Sequence, residues 1–388
     1  MTDQEQAVLS DLENSLPDML DLLGRIVDVD SGSHNKEGVD AVGKILARFL
    51  ADAGLDIEVK EHAQRGDIVI ARSKSEIVGR RPLLFLAHRD TAFPDGEAER
   101  RPFRVVEDRA YGPGVSDMKA GVAMLAFVLS VLVRHKAHPA PLIALFTSDE
   151  EIGSLTSRDL IAQFARGARA AFNCEPGRAP NHVVDTRRGG MVLEIQMTGH
   201  AAHAGANFGD GISAIEELAH CVIDLHALND IERGLTVNVG LVKGGEAANT
   251  VAPAASAIVD LRYRDPADRV FLLDEIGAIV RNRRSPGAKA EMNIRYEFLP
   301  LIRTDGNDVL LRHYQSCSRE LGVEVGSTAT GSCSDSGFAA AQGCPVLCAA
   351  GPVGAGWHTA AEFAEVSSFV SRAKALALCV MRLDAEAA

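Results

Sequence analysis

Asp149, Glu150 and Glu151 stand in a row just beyond the apolar run Leu142 to Phe146, and Gly153 closes the stretch. Carboxylates crowded at the end of a buried strand repel one another, and desolvation pushes their pKa values up. Either these acids lie in a solvated turn, or a cation beside them makes the clustering favourable and lets neighbouring side chains take different tasks. Three more places carry residues of the same kind. His88 and Asp90 follow the apolar run Leu83 to Ala87, Asp117 lies in the loop Gly112-Pro113-Gly114-Val115-Ser116-Asp117, and Glu175 follows Ala171-Phe172-Asn173-Cys174. Each has an ordinary reading: His88 as a hydrogen-bonded core histidine, Asp117 as the N-cap of the helix after it, Glu175 as a loop acid. Together, an imidazole and several carboxylates at successive strand and loop ends are the donor mixture that Zn²⁺ accepts. The spacing of His88 and Asp90 is awkward for joint ligation of one ion, so Asp90 is better placed to fix the imidazole tautomer from behind.

For such ends to meet, the elements before them must form one sheet. Apolar residues at helical spacing mark helices over residues 4–28, interrupted at Pro17, and over 37–53, closed by Gly54. Short apolar or alternating runs at 57–59, 67–71 and 83–87 read as strands, followed by a polar loop over 92–108 and a long apolar helix over about 120–135. Strands alternating with helices predict an α/β domain with a mixed, mostly parallel sheet flanked by helices, whose ligands gather at the carboxyl ends of the strands. After Glu175 the pattern changes. Alternation at 191–197, 235–242, 257–263 and 292–298, with helices over 212–228 and 270–281, predicts an α+β domain of four antiparallel strands and two helices. From Val309 the first pattern returns, so 187–298 reads as an insertion into a domain made of 1–186 and 299–388.

Two domains suit a chain of 388 residues. With 46% hydrophobic and 24% charged residues the composition is that of a globular protein. A net charge of -13 argues against a nucleic-acid partner and obliges an anionic substrate to find a local positive site. No apolar run reaches the ~20 residues of a membrane span, and Met1 to Gln6 is too polar for a secretory signal. Seven scattered cysteines then read as reduced thiols, and a cytoplasmic location is expected. Cys344 and Cys348, with Pro345 between them and no second pair, make only a weak metal motif.

The sequence also carries a resemblance. His88-Arg89-Asp90-Thr91, Gly112-Pro113-Gly114-Val115-Ser116-Asp117-Met118-Lys119, Asp149-Glu150-Glu151-Ile152-Gly153 and Glu175-Pro176 look like the successive motifs of the co-catalytic zinc exopeptidases. That family includes glutamate carboxypeptidases, aminoacylases and the succinyl-diaminopimelate and acetylornithine deacylases. Gly199-His200-Ala201-Ala202-His203-Ala204-Gly205 resembles the histidine motif of its dimerisation domain, and Gly356-Trp357-His358-Thr359-Ala360-Ala361-Glu362-Phe363 the loop of its last metal ligand. The resemblance implies two Zn²⁺ per subunit, with Co²⁺ or Mn²⁺ as substitutes: His88 and Glu175 on one, Glu151 and His358 on the other, Asp117 bridging. It makes Glu150 the general base for a metal-activated water and Asp90 the partner of His88. It makes His203 the oxyanion-stabilising residue of the partner subunit's site, which implies a homodimer through the inserted domain. Asn249 and Arg262 resemble the family's carboxylate-binding pair, and a guanidinium fork suits a carboxylate.

The pattern is most like the glutamate carboxypeptidase branch, which implies hydrolysis of an amide next to a free α-carboxylate in a small molecule or short peptide. The lysine with which that branch reads a glutamate side chain has no counterpart here, where the chain runs Asn181-His182-Val183 with Arg178, Arg187 and Arg188 nearby. An aminoacylase or deacylase for a small N-acyl amino acid or an aromatic-acid amide is the alternative within the class, and a non-catalytic metal-binding relative the alternative outside it. Cys333, in the loop Gly331-Ser332-Cys333-Ser334-Asp335, reads as packing rather than as a nucleophile.

Overall fold

The apolar spacing at the N-terminus becomes two helices, Asp3–Asn14 and Leu16–Val27. Thr2 and Glu5 close a capping box on the first, and Pro17 sits in the first turn of the second, where its missing N–H costs nothing. The computed structural model describes residues 1–74 and 79–383. These fall into two compact units: 1–186 with 303–330 and 334–383, and 187–302 with 331–333.

The first unit is built on an eight-stranded mixed sheet. Its centre is parallel: Leu83–His88 pairs with Leu142–Thr147 on one side and Ala170–Asn173 on the other, and Val346–Cys348 pairs with Ala170–Asn173. The outer pairings of Asp56–Lys60, Ile68–Arg72 and His182–Arg187 are antiparallel. Strands buried on both faces read as continuous apolar runs, and Leu83 to Ala87 is buried throughout. The helix Ala120–Arg134 is apolar on all sides because it is packed on all sides. The Val115–Arg134 segment has the length and apolarity to cross a membrane, but 94% of its most apolar window is buried inside the protein. Each fully buried Leu or Val there contributes about 1.5–3 kcal/mol, which fixes the loop before it, residues 112–119, against the sheet.

The stretch 92–108, expected to be a polar loop, is more ordered than that. It holds a short helix, Glu97–Arg100, and the strand Arg104–Val106, which pairs with Arg109–Tyr111. This hairpin joins Phe363–Glu365 and Gly354–Ala355 in a small four-stranded sheet. Partners 250 residues away in sequence complete it, and no local pattern announces them.

The second unit is a four-stranded antiparallel sheet in the order Thr236–Gly244, Ala254–Tyr263, Gly189–Thr198, Lys289–Phe298. Met191, Leu193, Ile195 and Met197 point to one face and pack with Leu218, Cys221 and Leu225 of the helix Ala214–His226 and with Leu272, Ile276 and Val280 of the helix Pro266–Arg281. Glu194, Gln196 and Thr198 point the other way, as the period of two requires. Thr236–Gly244 is an edge strand whose Leu241 and Val242 are 60% and 59% exposed.

Candidate metal centre

His88 is the last residue of its strand, and Glu150 and Glu151 begin the short turn just past the neighbouring parallel strand. Glu175 follows the strand on the other side, Asp117 lies in the loop before the buried helix, and His358 in the turn between the strands Gly354–Ala355 and Phe363–Glu365. Their polar atoms converge. His88 Nε2 lies 3.2 Å from Asp117 Oδ1 and 3.7 Å from Glu175 Oε1, while His358 Nε2 lies 3.5 Å from Asp117 Oδ2 and 3.2 Å from Glu151 Oε2. The two oxygens of Asp117 thus face the two histidines separately. Donor atoms of His88, Asp117 and Glu151 also fall within 4.8 Å of one another.

These separations test whether a metal fits. Tetrahedral Zn²⁺ with bonds of about 2.0–2.2 Å places neighbouring donor atoms at a tetrahedron edge of roughly 3.3–3.6 Å. The four distances bracket that value, and all four are longer than a good charge-assisted hydrogen bond would be. His88, Asp117 and Glu175 would hold one ion, and His358, Asp117 and Glu151 a second.

The electrostatics of the metal-free protein point the same way. Burial raises the Glu151 carboxyl to about 7. Burial also drives Glu150 well above its ordinary range, with Glu175 and Glu151 adding to the shift against the opposing charge of His88. Hydrogen bonds to Asp117 and Glu151 raise His358 to about 10. Burial alone would lower His88, but its bonds to Asp117 and Asp90 overcome that and raise it. Burial would likewise raise Asp117, and the two histidines hold it below the carboxylate range instead. With Glu150 and Glu151 raised by burial and His358 raised by carboxylates, the cluster favours positive charge among its side chains.

Glu150 differs from its neighbours. It is buried, and its carboxylate accepts no hydrogen bond from the described residues. Asp149 points elsewhere: it accepts from the Thr156 N–H at 2.6 Å, from the Thr156 hydroxyl at 2.9 Å and from Ser157 Oγ, so it ties down the turn. Asp90, fully buried, accepts from the N–H of Glu150 and of Glu151, both at 3.1 Å, and from Ser33 Oγ at 2.7 Å. Its carboxylate is 3.5 Å from His88 Nδ1, which lies closer to the Asp90 main-chain oxygen at 3.0 Å. Asp90 therefore orients the Glu150–Glu151 turn at least as much as the imidazole. Asp117 caps nothing; the helix after it starts at Ala120 behind Lys119.

Several residues of the site carried no signal of their own in the sequence. Ser33 was one. Glu362, 1% exposed, accepts from the N–H groups of Gly114, Ser116 and Asp117 at 2.9, 2.9 and 2.8 Å. Asp335, raised to about 7 by burial, accepts from Thr147 Oγ1 at 3.1 Å and from Ser154. An open cleft of about 570 Å³ adjoins Glu151 and is lined by Ser33, His34, Asn35, Phe93, Asp95 and Ile152 among others.

The second unit holds the other three expected residues. His203 and Asn249 are brought together: Ala204 N–H donates to the Asn249 carbonyl at 2.9 Å, and His203 is bridged to Thr250. His203 Nδ1 accepts from the N–H of Gly205 and of Ala206, both at 3.1 Å, which leaves its proton on Nε2. Arg262 is engaged bidentately by Asp260 at 2.8 Å for both bonds, and its Nη1 is 2.8 Å from Cys333 Sγ. Burial raises the Cys333 thiol, the opposite of an activated nucleophile. All seven cysteines are free, and Cys344 and Cys348 face different surroundings, Ala168 and Ser334.

A mixed sheet with carboxylates and histidines converging at its strand ends, in a chain that also carries a helix-backed antiparallel unit, defines a metallohydrolase of the peptidase and amidohydrolase class. The chain belongs to peptidase family M20/M25/M40, whose model matches residues 84–382. It is 28% identical over 393 residues to carboxypeptidase G2 of Pseudomonas sp. (strain RS-16), covering 99% of this chain and 91% of that one. It is 26% identical over 278 residues to the acetylornithine deacetylase of Klebsiella pneumoniae (strain 342), covering 65% and 69%. In fold it is similar to an M20 metallo-carboxypeptidase of Sulfolobus solfataricus, with a TM-score of 0.74 at 17% identity over 99% of this chain and 100% of that one. The dipeptidase Dug1p of Saccharomyces cerevisiae gives 0.75 at 16% identity over 98% of each.

Proposed function

We propose that the protein hydrolyses an amide or peptide bond next to a free α-carboxylate, using Glu150 as general base in a site that holds two Zn²⁺. The observation that carries this is Glu150 itself: a buried carboxylate free of hydrogen bonds from the described residues, beside five residues whose atoms are spaced as ligands. Bound there, two divalent cations supply Lewis-acid activation of the scissile carbonyl and of a water. Glu150 would take the proton of the attacking water and return it to the leaving amine. Asp90 holds the Glu150–Glu151 turn so that base and ligand face their separate targets.

The unit of residues 1–186, 303–330 and 334–383 is then catalytic, and the inserted unit supplies recognition. Its His203, with the proton on Nε2, is a donor suited to a developing oxyanion. Asn249 and Arg262 are our candidates for the substrate carboxylate, which would have to share the Arg262 fork with Asp260. A homodimer is supported by the edge strand Thr236–Gly244: exposed Leu241 and Val242, together with Ile223 at 66% exposure on the adjoining helix, are an edge that proteins ordinarily cover. The free thiols suit a reducing compartment.

A panel of N-acyl amino acids and dipeptides, with and without chelator, tests the reading. Chelator-sensitive hydrolysis of compounds with a free α-carboxylate is expected, and Glu150→Gln should keep its metal while losing about 10²–10⁴-fold in kcat. Turnover by Glu150→Gln close to wild type, or no chelator-sensitive hydrolysis of any such amide, overturns it.

A further inference from the structure

We infer that Glu362 and Trp357 are positioning residues that clamp the His358 loop onto the Asp117 loop and thereby set how the Asp117 carboxylate is divided between two cations. The inference rests on the two-cation reading above.

Asp117 lies in backbone with φ -110° and ψ 93°, outside any repeating hydrogen-bond pattern, so its N–H needs a partner from elsewhere. Glu362 provides it. One carboxylate accepts three consecutive-loop donors, Gly114 on Oε2 and Ser116 and Asp117 on Oε1, and such charge-assisted bonds are the strong ones. Trp357, on the other side of His358, donates from Nε1 to Ser116 Oγ at 3.0 Å. The Arg178 guanidinium lies 3.9 Å from the Trp357 ring centroid, which ties in the segment that follows Glu175. Three ligand-bearing loops are therefore joined without using a single ligand atom.

The small sheet sets the register of this clamp. Pairing of Phe363 with Tyr111 and of Ala364 with Ala110 places Glu362 opposite the start of the Asp117 loop. His358 itself sits at φ +59°, a left-handed conformation that surrounding structure must hold. The two cation sites depend on the clamp unequally. Glu362 itself bridges only the His358 and Asp117 loops, which carry two of the three residues His358, Asp117 and Glu151 but only Asp117 of the three residues His88, Asp117 and Glu175.

Metal-free protein titrated with Co²⁺ tests this, with visible absorbance counting equivalents and the fluorescence of Trp357, the chain's only tryptophan, reporting the loop. Wild type should take two equivalents. Glu362→Gln keeps the shape but turns an N–H₂ toward backbone donors. It should bind the first equivalent within a few-fold of wild type and the second about 10–100-fold more weakly. Trp357→Phe, which removes only the bond to Ser116, should weaken the second equivalent by less and serves if Glu362→Gln does not fold. Wild-type affinity for both equivalents in the variants, or equal weakening of both, overturns the clamp. Fewer than two equivalents in wild type overturns the two-cation reading beneath it.

Discussion

Asp90→Asn should separate stability and catalysis from metal binding. The native carboxylate receives the N–H groups of Glu150 and Glu151 and the Ser33 hydroxyl in a fully buried setting. Asparagine retains one acceptor oxygen and sets an amide N–H₂ against one of those backbone donors. The loss is a hydrogen bond to a charged group, about 1.5–3 kcal/mol, and a buried donor left unsatisfied, about 1–3 kcal/mol. A total on the order of 3–5 kcal/mol is in line with breaking one side of a buried charged pair. His88 keeps its 3.0 Å contact to the Asp90 main-chain oxygen, so metal affinity should fall only about 10-fold, the low end for a residue behind a ligand. The Glu150–Glu151 turn, by contrast, loses its anchor, and a base displaced by about 1 Å costs roughly 10²-fold in kcat. Urea unfolding of the metal-free protein, chelator competition and kcat of the metal-reconstituted variant measure the three terms. A stability loss under about 1 kcal/mol, or a collapse of metal affinity with kcat retained after reconstitution, would refute the reasoning.

Four further outcomes are expected. His358→Ala should lose one metal equivalent while the other stays, read by metal analysis after dialysis. In metal-free protein, Glu151 is raised from 4.5 to about 7 and His358 from 6.5 to about 10. Groups with raised folded-state pKa values bind more protons folded than unfolded, so their stabilisation is complete below the unfolded values and fades as pH climbs through 7 and then 10. Metals compete with those same protons, so the gap between the Tm values of metal-loaded and metal-free protein should widen between pH 5 and pH 8; a gap that narrows would contradict the assignment. His203→Ala should lower kcat by about 10²-fold or more with little change in metal content, and unchanged kcat would remove its oxyanion role. Leu241→Glu should shift the protein toward monomer in sedimentation or light scattering, whereas an unaltered dimer would place the interface elsewhere.

The strand-end acids were legible because a parallel sheet gathers its carboxyl ends, and His88, Glu151 and Glu175 needed only that geometry to meet. The antiparallel unit was legible too: the alternation from Met191 to Met197 and from Ala257 to Tyr263 is the period of a half-covered sheet. Asp260 could have been anticipated as the partner of Arg262, since residues two apart on a strand share a face. Other features had no local trace. The stretch 92–108 looked like a polar loop because its strands find their partners beyond residue 350. Asp149 and Glu150 are adjacent acids with nothing in their own chemistry to tell which ties down the turn and which stays without a hydrogen bond from the described residues.

By itself the sequence determined which residue types stand at which element ends, because hydrophobic periodicity and the donor chemistry of histidine and carboxylate are local properties. Only the tertiary structure decided which carboxylates face a histidine, which face a backbone N–H and which accept no hydrogen bond from the described residues. Glu151, Glu362 and Glu150 are those three cases, chemically identical side chains distinguished by the partners that distant loops bring to them. A carboxylate's pKa and task come from burial and neighbours, and neighbours are set by pairing across the sheets.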